Sequence, residues 1–130
     1  MATYKGDECR MHLIVYRLAW CSWRRKKVLV GDIAKDLKEL IEGKCSGHGW
    51  DIIDLKIEPD HVHLWVQAFP TTPAAFVVHQ CKGIAANRLR KKYPELLKMP
   101  SLWTGSYFAS TNEDIPPELI QKFMDAQNRR

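Results

Sequence analysis

The sequence predicts an α+β protein, an antiparallel sheet flanked by helices in the ferredoxin-like, RRM-like arrangement. Segments of β and α character follow one another as β-α-β-β-α-β-α, the order of the split βαβ plan. Two of the β segments are joined by Pro59 and Asp60, a turn pair that makes them neighbours in one hairpin. The chain has 130 residues, the length of a single domain spanning 1–130, and such a chain buries roughly two-thirds of its surface without disulfide staples.

The elements follow in order. His12 to Trp20 (HLIVYRLAW) is rich in β-branched and aromatic residues and reads as a strand. A basic stretch with four consecutive cations, Arg24, Arg25, Lys26 and Lys27, comes next. Gly31 and Asp32 open a helix whose apolar positions, Ile33, Leu37, Leu40 and Ile41, share one face. Gly43 to Gly49 is expected to end it in a loop. Asp51 to Glu58 reads as a strand with Ile53, Leu55 and Ile57 on one side. His61 to Phe69 alternates more cleanly: Val62, Leu64, Val66 and Ala68 face one way, and His61, His63, Trp65, Gln67 and Phe69 the other.

Thr72 is expected to cap a second helix, with Pro73 in its first turn. That helix should stop near Lys92, before Pro94. Its last turns carry Arg88, Arg90, Lys91 and Lys92, which suit the negative end of the helix dipole. Trp103 to Ala109 is a further strand candidate. Pro116 and Pro117 open a last helix through Gln127, with Ile120, Phe123, Met124 and Gln127 on one side.

Hydrophobic residues are 45% of the chain and charged residues 27%, ordinary values for a soluble globular protein. They exclude an acidic tail, a disordered linker and a membrane protein, and no apolar run approaches the roughly 20 residues of a membrane span. The net charge of +5 leaves nucleic acid, a nucleotide or a membrane surface open as partner. Cys9, Cys21, Cys45 and Cys81 form no C-x-x-C pair, and Met1 to Arg10 is too polar for a signal peptide. A reducing, cytoplasmic setting is expected. Cys45-x-x-His48 and His79-x-Cys81 lack the paired spacings of structural zinc sites.

His61 and His63 carry the chemistry. At i and i+2 in a strand they share a face, and the opposite face already supplies the core. Neutral imidazoles so placed can share a divalent metal; the alternative is two ordinary surface histidines. On the last helix, Phe123 and Gln127 are one turn apart and share a face. A Gln carbonyl oxygen is a hard ligand that suits Mg²⁺ or Mn²⁺ beside imidazoles, although a Gln near a helix end is more commonly solvated.

Four segments together resemble a family: RRKKVLVGDIA after the first strand, EPDHVHLWV with its histidine–hydrophobic–histidine motif, the basic KGIAANRLRKKYP, and LWTGSYFAS followed by a helix ending QKFMDAQ. The chain resembles the single-tyrosine HUH transposases of small bacterial insertion sequences (IS200-like transposases) and their repeat-associated relatives. The resemblance spans nearly the whole chain and implies an HUH-type fold in a bacterial or archaeal cell. It implies binding of single-stranded DNA hairpins, then cleavage and rejoining of strands without external energy. It implies that His61, His63 and Gln127 hold one Mg²⁺ or Mn²⁺, which polarises the scissile phosphate. A tyrosine on the last helix would attack phosphorus and become linked to the 5′ phosphate. It implies a homodimer in which that helix commonly serves the partner's histidines.

The sequence departs from the family at one point. The tyrosine belongs four residues before the glutamine, and that position is Phe123, which has no oxygen to attack with. Either the chain is cleavage-defective, the favoured reading, or Tyr4, Tyr16, Tyr93 or Tyr107 has taken the role. Arg24, Arg25, Lys26, Lys27, Lys82 and Arg88 are the expected phosphate contacts, and Trp23 or Trp65 could stack on bases. Three rivals remain. A non-catalytic DNA-binding module descended from a transposase differs only at Phe123. A histidine-triad nucleotide hydrolase would need a third histidine where Trp65 stands. A dimeric structural protein would bind no metal.

Overall fold

The computed structural model describes residues 13–111 and 115–127. Four strands form one antiparallel sheet: β1 (Ile14–Cys21), β2 (Asp51–Glu58), β3 (His61–Ala68) and β4 (Phe108–Ser110), in the spatial order β2-β3-β1-β4. Three α-helices, α1 (Gly31–Gly47), α2 (Ala74–Lys92) and α3 (Pro117–Gln127), complete the expected β-α-β-β-α-β-α order. This is the α+β plan read from the sequence.

One face of the sheet makes the core. Tyr16, Leu18 and Trp20 of β1 and Val62, Leu64, Val66 and Ala68 of β3 are buried together with Ile33, Leu37, Ile41 and Cys45 of α1 and Val77, Val78, Cys81, Ala85 and Leu89 of α2. The two helices therefore form a layer on that side. The Cys45 and Cys81 thiols meet there, Sγ to Sγ 3.9 Å, as free buried cysteines.

The structure corrects four expectations of detail. First, α1 runs through Gly43 to Gly47 instead of ending in a loop there. Ile41 and Cys45 are both fully buried one turn apart, and that burial carries the helix past the glycine. The stop is Gly49, at φ +76°. Its N–H bonds to the Ser46 carbonyl while the Trp50 N–H reaches back to Cys45 at 2.9 Å, the paired bonds of a Schellman end.

Second, Ile53 does not share a face with Leu55 and Ile57. The pairing of β2 with β3 shifts between Ile52 and Asp54. Ile53 is the extra residue of a bulge and is exposed, while Ile52, Leu55 and Ile57 pack on the core. Third, Thr72 gives α2 no side-chain cap: Pro73 holds the cap position, and the Thr72 carbonyl accepts instead from the Tyr16 hydroxyl at 2.6 Å. Fourth, the strand expected over Trp103 to Ala109 shrinks to Phe108–Ser110. Trp103 makes only an isolated bridge to Ser22, because its side chain turns into the core against Trp20.

The two kinds of glycine predict opposite mutational effects. A Cβ at Gly43 meets nothing within 4 Å, so Gly43→Ala should stabilise the protein by about 0.5–1 kcal/mol. Gly49 is left-handed with the Phe69 ring 3.6 Å from a built Cβ, so Gly49→Ala should destabilise it by about 1–2 kcal/mol. Thermal unfolding of the two variants checks both signs.

Candidate functional site

The second face of the sheet is set by register. Across β1 and β3, Cys21 pairs with His61, Ala19 with His63 and Arg17 with Trp65. Across β2 and β3, Glu58 pairs with His61, Lys56 with His63 and Asp54 with Trp65. Directly paired residues share a face, so all nine belong to the side away from α1 and α2. The two-residue turn that sets Glu58 opposite His61 fixes Asp54, Lys56 and Glu58 in this row, and the bulge at Ile53 returns Ile52 to the core side beyond it.

His61 and His63 lie side by side, ring centroids 5.0 Å apart. Nδ1 of His61 is 2.6 Å from Oδ1 of Asp60, so the carboxylate fixes that ring and leaves Nε2 as its free donor atom. Burial alone would raise the Asp60 carboxyl, but the His61 hydrogen bond and the Arg25 guanidinium outweigh it and hold it below its ordinary value. The His63 imidazole is pushed down, first by burial and then by the charges of His61 and Lys56, which favours the neutral, ligating form. Sequence reasoning took Asp60 only as a turn residue. The signal that could have found it is its place directly before the first histidine, within reach of that ring.

The last helix docks over this end of the face. Ile120 lines a cavity of about 420 Å³ together with His61, His63, Trp65 and Phe108. The Phe123 ring lies 6.0 Å from that of Phe108, whose strand partner Ala19 is also the partner of His63. The Cys21 thiol contacts Met124 Sδ at 3.4 Å, and burial raises that thiol to about 11, so it acts as a packing group. Gln127 is 2% exposed. Its Nε2 donates to the Phe123 carbonyl at 3.2 Å, and its Oε1 is buried without a hydrogen-bond partner. A buried amide oxygen in that state costs free energy unless something binds it. Among the described residues, no three His, Cys, Asp or Glu side chains converge as a metal cluster.

The basic residues divide into two sets. Arg24, Lys26, Lys27 and Arg88 are exposed. Arg25 is bound to protein: Nε meets Asp60 Oδ2 at 3.0 Å, and Nη1 reaches the Met124 carbonyl at 3.4 Å and Asp125 at 3.8 Å. Lys82 donates to the Thr104 carbonyl at 2.7 Å, and burial lowers its ammonium below the ordinary value. Arg88 sits on α2, in the layer across the sheet from the histidines. Arg24 and Arg25 both hold left-handed backbone, φ 52° and 53°, a strained state that persists only where surrounding contacts enforce it. Three of the four tyrosines fall among described residues, and none lines the histidine cavity. Tyr16 is bonded to Thr72, Tyr93 to Asp36 at 2.6 Å, and Tyr107 packs edge-on to His79. Tyr4 lies outside the described residues.

An antiparallel βαββαβ sheet, with a histidine pair on its open face and a helix laid across that face, defines a class that comparison with known proteins makes definite. The family model described as "Transposase IS200 like" matches residues 10–127, and the chain belongs to that family. It is 32% identical over 121 residues to the ISDra2 transposase TnpA of Deinococcus radiodurans, covering 91% of this chain and 86% of that protein. A crystal structure of a transposase from the same organism superposes with a TM-score of 0.86 at 29% identity, over 96% of this chain and 98% of that one. The structure of a REP-associated tyrosine transposase bound to a REP hairpin shares the fold, with a TM-score of 0.59 at 11% identity over 96% of this chain and 69% of that one. No helix among the described residues is long and apolar enough to cross a membrane.

Arg25 joins α3 to the turn that orients His61, so its loss should loosen both. Arg25→Gln should destabilise the protein by about 1.5–3 kcal/mol and speed amide exchange in α3. Lys27→Gln, the same charge change at an exposed position, should do neither. Hydrogen-exchange mass spectrometry of the two variants measures the difference.

Proposed function

We propose that this IS200-like transposase binds single-stranded DNA folded into a hairpin and holds one Mg²⁺ or Mn²⁺ on its site face. With Phe123 in the position of the nucleophile, it does not cut the strand. The observation that supports the reading is α3: Phe123 and Gln127 lie one turn apart on it, and its Ile120 lines the cavity that the two histidines share.

The residues present fit the cation. Two imidazoles on one face, one of them oriented by Asp60, offer nitrogen donors, and the buried, unpartnered amide oxygen of Gln127 is a hard oxygen donor; donors of these kinds suit Mg²⁺ or Mn²⁺. When bound, such an ion acts as a Lewis acid on the scissile phosphate and orients it. The chain's own side chains do the rest. Asp60 holds the His61 ring, the Phe123 carbonyl holds the Gln127 amide, and exposed Arg24, Lys26, Lys27 and Arg88 are available for phosphate contacts that position the strand. Nothing at Phe123 can form a bond to phosphorus, so the covalent step has no donor. The hairpin partner is favoured by the relative bound to a REP hairpin. A homodimer is part of the proposal, on family resemblance.

Three outcomes are expected. Titration should show one Mn²⁺ site, weakened about 10–100-fold by Asp60→Ala and lost in the His61→Ala, His63→Ala double variant. Incubation of labelled single-stranded hairpin DNA with the protein and Mn²⁺ should leave no covalent adduct on a denaturing gel, and Phe123→Tyr should produce one. An adduct from the unmodified protein would overturn the reading. Hairpin affinity should fall with salt, and Lys26→Gln should reduce the log–log slope by about 0.7.

A further inference from the structure

We propose that Arg17 and Trp65 form a subsite for one unpaired nucleobase, and that Asp54 selects bases carrying an exocyclic amino group. The inference rests on the reading of the chain as a single-strand binder.

Trp65 continues the row of His61 and His63, two residues further along β3 on the same face. That step is roughly 6.6 Å, about the stride of one nucleotide in an extended strand. A base held at Trp65 therefore belongs to the nucleotide next to a phosphate held at His63. The core does not need this ring, because Leu64 and Val66 on the other face are the buried side chains of this stretch. The Arg17 guanidinium lies 3.8 Å over the Trp65 ring, and both side chains line the cavity that His61 and His63 share. At about 420 Å³ the cavity falls within the size range of small-ligand pockets. A guanidinium stacked on a ring presents its second flat face as a platform, and unpaired bases stack on arginine planes as they do on aromatic rings.

Strand β2 supplies the selectivity. Its register from the hairpin turn sets Asp54 opposite Trp65 and Lys56 opposite His63, and both line the cavity. A carboxylate only accepts hydrogen bonds, so it favours a base edge that donates from an amino group, as cytosine does. Lys56 is the cation for the neighbouring phosphate. A platform, an acceptor and a cation thus follow the order of a nucleotide along the sheet.

Fluorescence anisotropy with labelled oligo(dC) and oligo(dT) of about ten nucleotides tests the proposal. The unmodified protein should bind oligo(dC) about fivefold or more tightly than oligo(dT). Arg17→Lys keeps the charge but loses the plane, and should weaken oligo(dC) binding roughly tenfold and remove the preference. Asp54→Asn should remove the preference alone. Trp65→Leu should behave as Arg17→Lys does, and Trp65→Phe should retain binding. The phenylalanine variant and Arg17→Lys keep the test decisive if the leucine variant unfolds. Equal binding of the two strands, untouched by Arg17→Lys, would overturn the subsite and leave the single-strand reading standing. Failure to bind either strand while a labelled DNA hairpin is still bound would overturn the subsite alone, and failure to bind the hairpin as well would overturn both.

Discussion

Everything in the site depends on the pairing of β3 with β1. A strand has a side-chain period of two, so one residue of slip would exchange the two faces. With Leu18 opposite Leu64, the aliphatic row of β3 is committed to α1 and α2, and the odd-numbered row, His61, His63, Trp65 and Gln67, is turned to the other side. Burial of Val62, Leu64, Val66 and Ala68 is thus the force that presents the histidines. A large hydrophobic free energy, about 25 cal/mol for each Å² removed from water, fixes the position of two polar rings that contribute little to it. This is also why the site can vary without unfolding the protein: its side chains lie on the face the core does not use.

A second constraint joins the open face to the last helix. Asp60 is shared between His61 and Arg25, and Arg25 is shared between Asp60 and α3. The helix has no other ion pair to the sheet region among the described residues, and its apolar anchors are few: Met124 on Cys21 and Phe123 near Phe108. A short amphipathic helix held by one arginine and a few side chains is a low-stability unit compared with the core. The left-handed backbone at Arg24 and Arg25 fits this view, because the strain is compensated by the bonds that Arg25 then makes. Arg25 therefore works within the protein, which separates it from the exposed cations beside it.

How far the sequence could be read follows from the range of each interaction. Alternation in β3, apolar spacing in α1 and the double proline before α3 are local signals, and the elements they mark appear where expected. The Ile53 bulge is not local: alternation in DIIDLKIE puts Ile53, Leu55 and Ile57 on one side, and only pairing with β3 puts Ile52 in place of Ile53 on the core face. The end of α1 was hidden for a similar reason. Gly43 is a helix-breaking signal on its own, and it is overridden because Cys45, two residues on, is buried against Cys81. The histidine pair was legible because a polar i, i+2 pair opposite an aliphatic row has no packing role. Asp60 and the internal bonds of Arg25 and Lys82 were not, since charge counting cannot tell an arginine facing solvent from one facing a carboxylate.

Phe123 brings these strands together. Tyrosine and phenylalanine differ by one oxygen, and the ring contacts to Phe108 survive either way. Fold stability therefore gives selection little reason to prefer one over the other at a half-buried position. On the proposed reading the chemical difference is total, because the covalent step needs that oxygen and the proposed metal ligands do not. On the proposed reading, loss of the hydroxyl removes cutting while leaving the Asp60–His61 bond, the Gln127 amide and the exposed cations unaltered. Folding alone gives no use for a 2% exposed glutamine with an unsatisfied oxygen. Leucine or methionine would fill that space at lower cost. On the proposed reading, Gln127 keeps an oxygen for the cation while Phe123 offers none to phosphorus.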